Sequence, residues 1–247
     1  MMIKTGIIFA ATGDLYLKNA IRAADSVRRF HPDLPIHLFT DLAGEESIGK
    51  SQTNPFTSIS LIPNPHRRSK IECMANSPFE HTLYLDTDVK LAGEISHLFK
   101  VLEKYDIALC HEHRRSQAKM AVSWQIELPN SFPQFNSGVV LFKKNPVTDA
   151  FFRQWAENYQ AAGIKQDQVT LRELLWTSEV KFFVLPPEYN IRYLKYALIW
   201  SPLEVIPRIY HLRRYHLNFW MNLWDPFRLL KNFIKFHYEK RFGKIKK

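Results

Sequence analysis

Short apolar runs of strand length recur along the chain, separated by segments with helical periodicity. Residues 7–11, 36–40, 58–62, 82–85, 107–110, 139–142 and 181–185 are β-rich, and each is expected as a strand. Between them, residues 15–30 place Ala20, Ala23, Ala24, Val27 and Phe30 on one helical face. Residues 147–160 and 166–175 also read as helices, and residues 69–76 as a shorter one. This alternation predicts an α/β sandwich around a largely parallel sheet. Residues 44–57 are expected to form a flexible loop and residues 114–135 a second long connection, of the kind that carries specificity at the ligand end of a sheet.

One apolar run ends abruptly in chemistry. After Leu83, Tyr84 and Leu85 come Asp86, Thr87 and Asp88, two carboxylates spaced one residue apart. In extended backbone such residues point the same way, so both can offer oxygens to one hard cation. Open α/β sheets hold ligands at the carboxyl ends of their strands, and this pair follows such a strand. A divalent ion there would neutralise a diphosphate. The G-x-G-x-x-G fingerprint is missing, which argues against a dinucleotide site.

The 247 residues, 46% hydrophobic, suffice for one globular unit. Cys73 and Cys110 lack Cys-x-x-Cys spacing, which speaks against a disulfide framework or a zinc site and fits a reducing compartment. Residues 1–11 are too short to span a bilayer and their flank does not resemble a signal peptide; no Asn-x-Ser/Thr sequon occurs. A cytoplasmic protein is therefore expected. The charge is concentrated late: from Ile206 to Lys247 eleven Lys/Arg stand against Asp225 and Glu239, a net of +9 out of the chain's +10. Nucleic-acid binding needs basic residues spread along a face with interleaved aromatics, so no nucleic acid is expected as partner.

That basic end begins with Trp220 and Trp224. From Pro226 a helix would gather Arg228, Lys231, Asn232, Lys235 and Glu239 on one narrow face and cover the rest with Phe227, Leu229, Leu230, Phe233, Ile234 and Phe236. Residues 219–247 are accordingly expected as an amphipathic tail on an anionic membrane surface, peripheral at the inner face, with packing on the globular domain as the other reading.

Six further strings follow in order: Ala10 to Tyr16, Lys70 at 16 residues before Asp86, Phe135-Asn136-Ser137-Gly138-Val139-Val140-Leu141-Phe142, Lys165-Gln166-Asp167-Gln168-Val169, Leu185-Pro186-Pro187-Glu188-Tyr189-Asn190 and Ile209-Tyr210-His211. With the carboxylate pair they resemble the GT-A-fold, nucleotide-sugar-dependent glycosyltransferases of family 8, the group containing glycogenin and bacterial lipooligosaccharide galactosyltransferases. The resemblance covers about residues 7–211 and implies a single Rossmann-like GT-A domain, residues 1–218, with a mixed, mostly parallel sheet.

It also implies roles. Ala10, Thr12 and Tyr16 would hold the nucleotide base, Lys70 the phosphate or ribose region, and Thr87 would lie near the ribose. Asp86, Asp88 and His211 would bind Mn²⁺ or Mg²⁺ bridging the diphosphate. Asn136, Ser137 and Gly138 would line the donor sugar, where glycine permits close backbone approach. Asp167 would contact sugar hydroxyls, and Gln168 would face the anomeric carbon opposite the leaving group. Glu112 matches an acidic residue beside the donor sugar. After His211 the pattern departs, because the family's glycine and diphosphate-gripping lysine give way to Arg213, Arg214, Tyr215 and His216. Arg214 is assigned the lysine's role, since an arginine binds phosphate bidentately.

The implied reaction is metal-dependent transfer of a sugar from a nucleoside diphosphate, a UDP-sugar, to a saccharide or glycolipid hydroxyl with retained configuration. A nucleotide-sugar-binding protein without transferase activity is the alternative.

Overall fold

The computed structural model describes residues 3–49, 54–115 and 122–212. Arg214 and the tail expected over residues 219–247 lie outside the described residues, as does the boundary at residue 218. In chain order the elements are β1 (Ile3–Ala11), α1 (Asp14–Arg28), β2 (Ile36–Thr40), α2 (Leu42–Gly49), β3 (Ser58–Leu61), α3 (Lys70–Ala75), β4 (Phe79–Leu85) and β5 (Val89–Leu91). Then follow β6 (Ile107–His111), β7 (Phe135–Lys143), α4 (Pro146–Ala162), α5 (Asp167–Thr177), β8 (Phe182–Val184), α6 (Leu194–Ile199) and β9 (Ile209–His211).

Seven strands form one sheet in the order β3-β2-β1-β4-β7-β6-β8, and β5 pairs with β9 in a second, two-stranded sheet. The large sheet is parallel except at β7, which runs against both β4 and β6. Its central strands are apolar on both faces, because helices cover both. Ile7, Phe9, Leu83, Leu85, Val139 and Leu141 pack with Ala20, Ala23, Ala24 and Val27 of α1 on one side. Ile8, Tyr84, Val140 and Phe142 pack on the other with Ile71 of α3, Phe152 and Trp155 of α4 and Leu171 of α5. The alternation along each strand feeds two cores, the three-layer arrangement that the sequence pattern implies.

Helix α4 shows how local sequence fixes an element. Asn145 caps it, its side chain accepting from Thr148 N at 2.8 Å while Thr148 Oγ1 accepts from Asn145 N at 3.0 Å. Pro146 occupies the first turn, and Gly163 closes the helix at φ 60°.

Two expectations about loops change. Residues 42–49, expected mostly as flexible loop, form helix α2, which starts where Asp41 Oδ1 accepts from Gly44 N at 2.9 Å. The described part of the connection before β7 is pinned to α5: buried Arg172 donates to the carbonyls of Phe132, Leu128 and Pro129 at 2.6, 3.2 and 3.0 Å, and Glu173 accepts from Gln125 N. Strand β7 itself begins at Phe135, earlier than the apolar run, because Asn136 and Ser137 turn their polar side chains into a buried network rather than into water. No helix among the described residues is long and apolar enough to cross a membrane.

Candidate active site

Strand pairing delivers the site. The parallel β1–β4 pair aligns Ile8 with Tyr84, so the loop after β1 emerges beside Asp86. The antiparallel β4–β7 pair sets the carboxyl end of β4 against the amino end of β7, with Leu85 opposite Val139 and Asp86 N donating to Gly138 O at 2.8 Å. Asp86 and Asn136-Ser137-Gly138 are thereby neighbours although far apart in sequence. The β5–β9 ribbon does the same for the histidine: Val89 is opposite His211, and Leu212 N donates to Asp88 O at 3.2 Å.

The ligand-type atoms of Asp86, Asp88 and His211 all lie within 4.8 Å of one another. His211 Nε2 is 2.9 Å from Asp88 Oδ1 and 3.6 Å from Asp86 Oδ2. Two hard oxygens and one imidazole nitrogen fit a divalent cation. The space is kept open by Gly138, where an added Cβ would approach Asp86 Oδ2 to 2.6 Å.

A hydrogen-bond relay presents the histidine correctly. Gly138 N can only donate, so the Asn136 atom it meets at 3.1 Å is Oδ1, and Asn136 Nδ2 donates to Glu112 Oε2 at 2.9 Å. Asn190 Nδ2 donates to the same Asn136 Oδ1 at 3.0 Å, which turns Asn190 Oδ1 towards His211 Nδ1 at 2.8 Å. His211 then donates from Nδ1, which leaves Nε2, facing the two aspartates, as the nitrogen able to ligate an ion through its lone pair. This is the arrangement that metal-binding imidazoles require.

A second network surrounds Asp167 at the start of α5. Its carboxylate accepts from Ser137 Oγ at 2.6 Å and pairs with Arg68 Nε at 3.0 Å and Lys70 Nζ at 3.6 Å. Burial alone would raise this carboxyl, but Lys70, Arg68 and the Ser137 hydrogen bond outweigh it and hold it below the usual aspartate range. Lys70 also donates to Asp86 Oδ1 at 3.2 Å and to Ser137 O and Oγ at 3.1 Å, so it links the two carboxylate groups. Glu112 is likewise held low: burial raises it, and Asn136, Arg192 and Gln168 together overcome that. Gln168 Nε2 reaches Glu112 Oε2 at 3.4 Å.

All residues of these networks except the fully buried Asn190 line one cavity of about 1050 Å³, together with Ala10, Thr12, Tyr16 and Thr87. Tyr16 is 48% exposed and lines the cavity rather than packing in the core. Every described residue that the sequence singled out for the site reaches this cavity. Sequence reasoning missed three of its polar neighbours. Tyr84 donates to Asp86 Oδ1 at 2.6 Å, and burial, then Asp86, pushes its phenol far above the ordinary value. Asp41 accepts from Gly13 N at 2.7 Å and fixes the loop after β1; it follows β2 as Asp86 follows β4, so the same end-of-strand signal could have found it. Arg192 lies 4.0 Å from Asp88 Oδ2, and no local motif announces it.

The fold matches solved glycosyltransferases. The galactosyltransferase LgtC, in complex with donor and acceptor sugar analogs, is 20% identical, with a TM-score of 0.61 over 84% of this chain and 87% of that one. GlyE of Streptococcus pneumoniae TIGR4 is 18% identical, TM-score 0.60, over 84% of this chain and 55% of that one. Mouse xyloside xylosyltransferase 1 is 15% identical, TM-score 0.57, over 85% and 97% respectively. At these identities the likeness is one of fold. Among curated proteins none matches the sequence significantly. The model of glycosyl transferase family 8 matches residues 65–211, more than half of the sequence and with the whole metal-type trio inside it, and the chain is therefore a glycosyltransferase belonging to that family.

Proposed function

We propose that the enzyme transfers a sugar from a nucleoside diphosphate, UDP, to an acceptor hydroxyl with retention of configuration, and that the transfer depends on Mn²⁺. The observation that carries this reading is the Asp86, Asp88 and His211 trio, presented to a cavity that Asp167 and Gln168 also line. LgtC, with which the fold is shared, is described with donor and acceptor sugar analogs, which supports a sugar donor and a sugar acceptor here.

A divalent ion bound by Asp86, Asp88 and His211 would act as a Lewis acid towards the charge developing on the departing diphosphate. The protein's own residues would do the rest. Tyr16 and Thr12, at the cavity edge, stack on and hydrogen-bond the base, while Thr87 meets the ribose. Lys70 adds a fixed positive charge beside Asp86. Asp167, kept ionised and pinned by Arg68, accepts hydrogen bonds from donor-sugar hydroxyls, and Asn136 and Glu112 bracket the sugar's other side. Gln168 places its amide against the anomeric carbon and stabilises positive charge there without carrying a negative charge of its own. Asp167 is 2% exposed and bound by three partners, which suits a positioning carboxylate better than a covalent nucleophile. The acceptor hydroxyl would therefore attack from the leaving-group face, its proton passing to the departing diphosphate.

A thermal-shift screen of nucleoside diphosphate sugars with and without Mn²⁺ tests the donor assignment. Stabilisation by UDP-sugars that needs Mn²⁺ is expected, and stabilisation by none of them would remove the reading. We also propose that residues 219–247, with their aromatic and basic composition, attach the enzyme to an anionic membrane on the cytoplasmic side, near a saccharide or glycolipid acceptor. Salt-sensitive co-sedimentation of the full chain with anionic liposomes is the expected result, and indifference to liposomes would contradict it.

A further inference from the structure

Arg192 has no part in the scheme above, yet its guanidinium stands at the centre of it. The residue follows Asn190 and Ile191 out of the strand-like bridge to Tyr210, and its Nη1 donates to His211 O at 3.1 Å. The same nitrogen is 4.0 Å from Asp88 Oδ2, and the side chain lines the cavity and is 21% exposed. Its charge also acts on Glu112, across the cavity wall.

Among the described residues, three other cations that line the cavity are already engaged. Lys70 spends its donors on Asp86 and Ser137, and Arg68 is paired with Asp167. Arg114 lies over the Tyr193 ring, 5.2 Å from its centroid. Arg192 uses Nη1 on a carbonyl, which leaves most of a five-donor fork for another acceptor. Placing a guanidinium beside a carboxylate that also serves a divalent cation brings two positive centres to one group, and in a partly desolvated site their repulsion is substantial. The arrangement becomes favourable once a group with several anionic oxygens lies between them.

We infer that Arg192 is a diphosphate anchor, gripping oxygens of the donor's leaving group from beside the metal trio. The inference rests on the proposed transferase reading. It assigns the anionic grip to a residue upstream of His211, on the stretch that holds the histidine, rather than to Arg214 beyond it. A planar fork suits this task, since it meets two phosphate oxygens at once where an ammonium meets one.

Isothermal calorimetry on the full chain tests it, with UDP titrated in saturating Mn²⁺ and Mn²⁺ titrated alone, for the wild type, Arg192→Gln and Arg192→Lys. Arg192→Gln should weaken UDP about 10- to 100-fold, as loss of charge-assisted hydrogen bonds does, and leave Mn²⁺ affinity equal or slightly tighter. Arg192→Lys should recover part of the loss. UDP affinity of Arg192→Gln within about twofold of wild type overturns the anchor while the donor reading stands. Parallel loss of Mn²⁺ and UDP affinity in both variants also overturns it, because Arg192 would then only support His211. If the wild type binds Mn²⁺ but no UDP, the donor reading falls and the anchor with it.

Discussion

Gly138 and His211 approach so closely that a Cβ on residue 138 would stand 2.1 Å from His211 Cε1. The glycine sits in the middle of a buried strand, where conformation alone does not demand it, so its reason is the space it leaves for the ligand side chains. Gly138→Ala should therefore keep a folded sheet, since alanine is tolerated in a strand, but push His211 and Asp86 apart. Mn²⁺ affinity measured by calorimetry is expected to fall at least about tenfold, with far-ultraviolet circular dichroism unchanged. Unaltered Mn²⁺ affinity would mean that the trio does not hold the ion.

This glycine also marks how far the sequence could be read. The carboxylate pair was legible locally, because Leu83 to Leu85 reads as a buried strand and ligands gather where such strands end. The two faces of the sheet were legible from alternation, although the reversed direction of β7 was not, since antiparallel pairing with β4 and β6 leaves no local mark on a doubly covered strand. His211 joined the metal set only through family resemblance; spatially its place depends on the pairing of Val89 with His211, which no short window of sequence contains. Arg192 and Tyr84 escaped for the same reason, as their relation to Asp88 and Asp86 exists only once the strands are assembled. Helix α2 was missed because residues 42–49 carry little apolar periodicity, and the signal that starts the helix is a single side chain, Asp41.

Stability should depend on pH through a histidine remote from the site. His37 is 4% exposed, with Nδ1 at 2.7 Å from Ser58 Oγ, and burial lowers its pKa from the ordinary 6.5 to about 4. The unfolded chain then binds more protons than the folded one between those values. This contribution is fully present above pH 6.5 and is lost as pH falls towards 4. Between pH 7 and 5 it amounts to at most about 2 kcal/mol. Urea unfolding at both pH values should show a smaller drop for His37→Asn than for the wild type. Equal drops in the two proteins would contradict the assignment.

The stereochemical prediction rests on Asp167 and Gln168, neighbours at the start of α5 that both line the cavity. Asp167 is occupied by Arg68, Lys70 and Ser137, and Gln168 beside it carries no charge, so neither is poised as the general base that an inverting displacement needs. The anomeric proton of the product, followed by NMR from the first turnovers, should show the configuration of the donor. An inverted product would transfer the role of base to Glu112 or Asp167.

The central claim, that Asp86, Asp88 and His211 hold the ion on which sugar transfer depends, is tested most directly by turnover of the Asp88→Asn variant. The substitution removes a charge with almost no change in volume, and the amide nitrogen can donate to His211 Nε2 across the 2.9 Å contact, so the fold should persist. UDP release from a UDP-sugar identified by the thermal-shift screen is to be measured across a Mn²⁺ titration for both proteins. The account predicts Mn²⁺-dependent release by the wild type, abolished by a chelator, and loss of at least about a hundredfold in the variant at every Mn²⁺ concentration. Full Mn²⁺-dependent turnover by Asp88→Asn would contradict it.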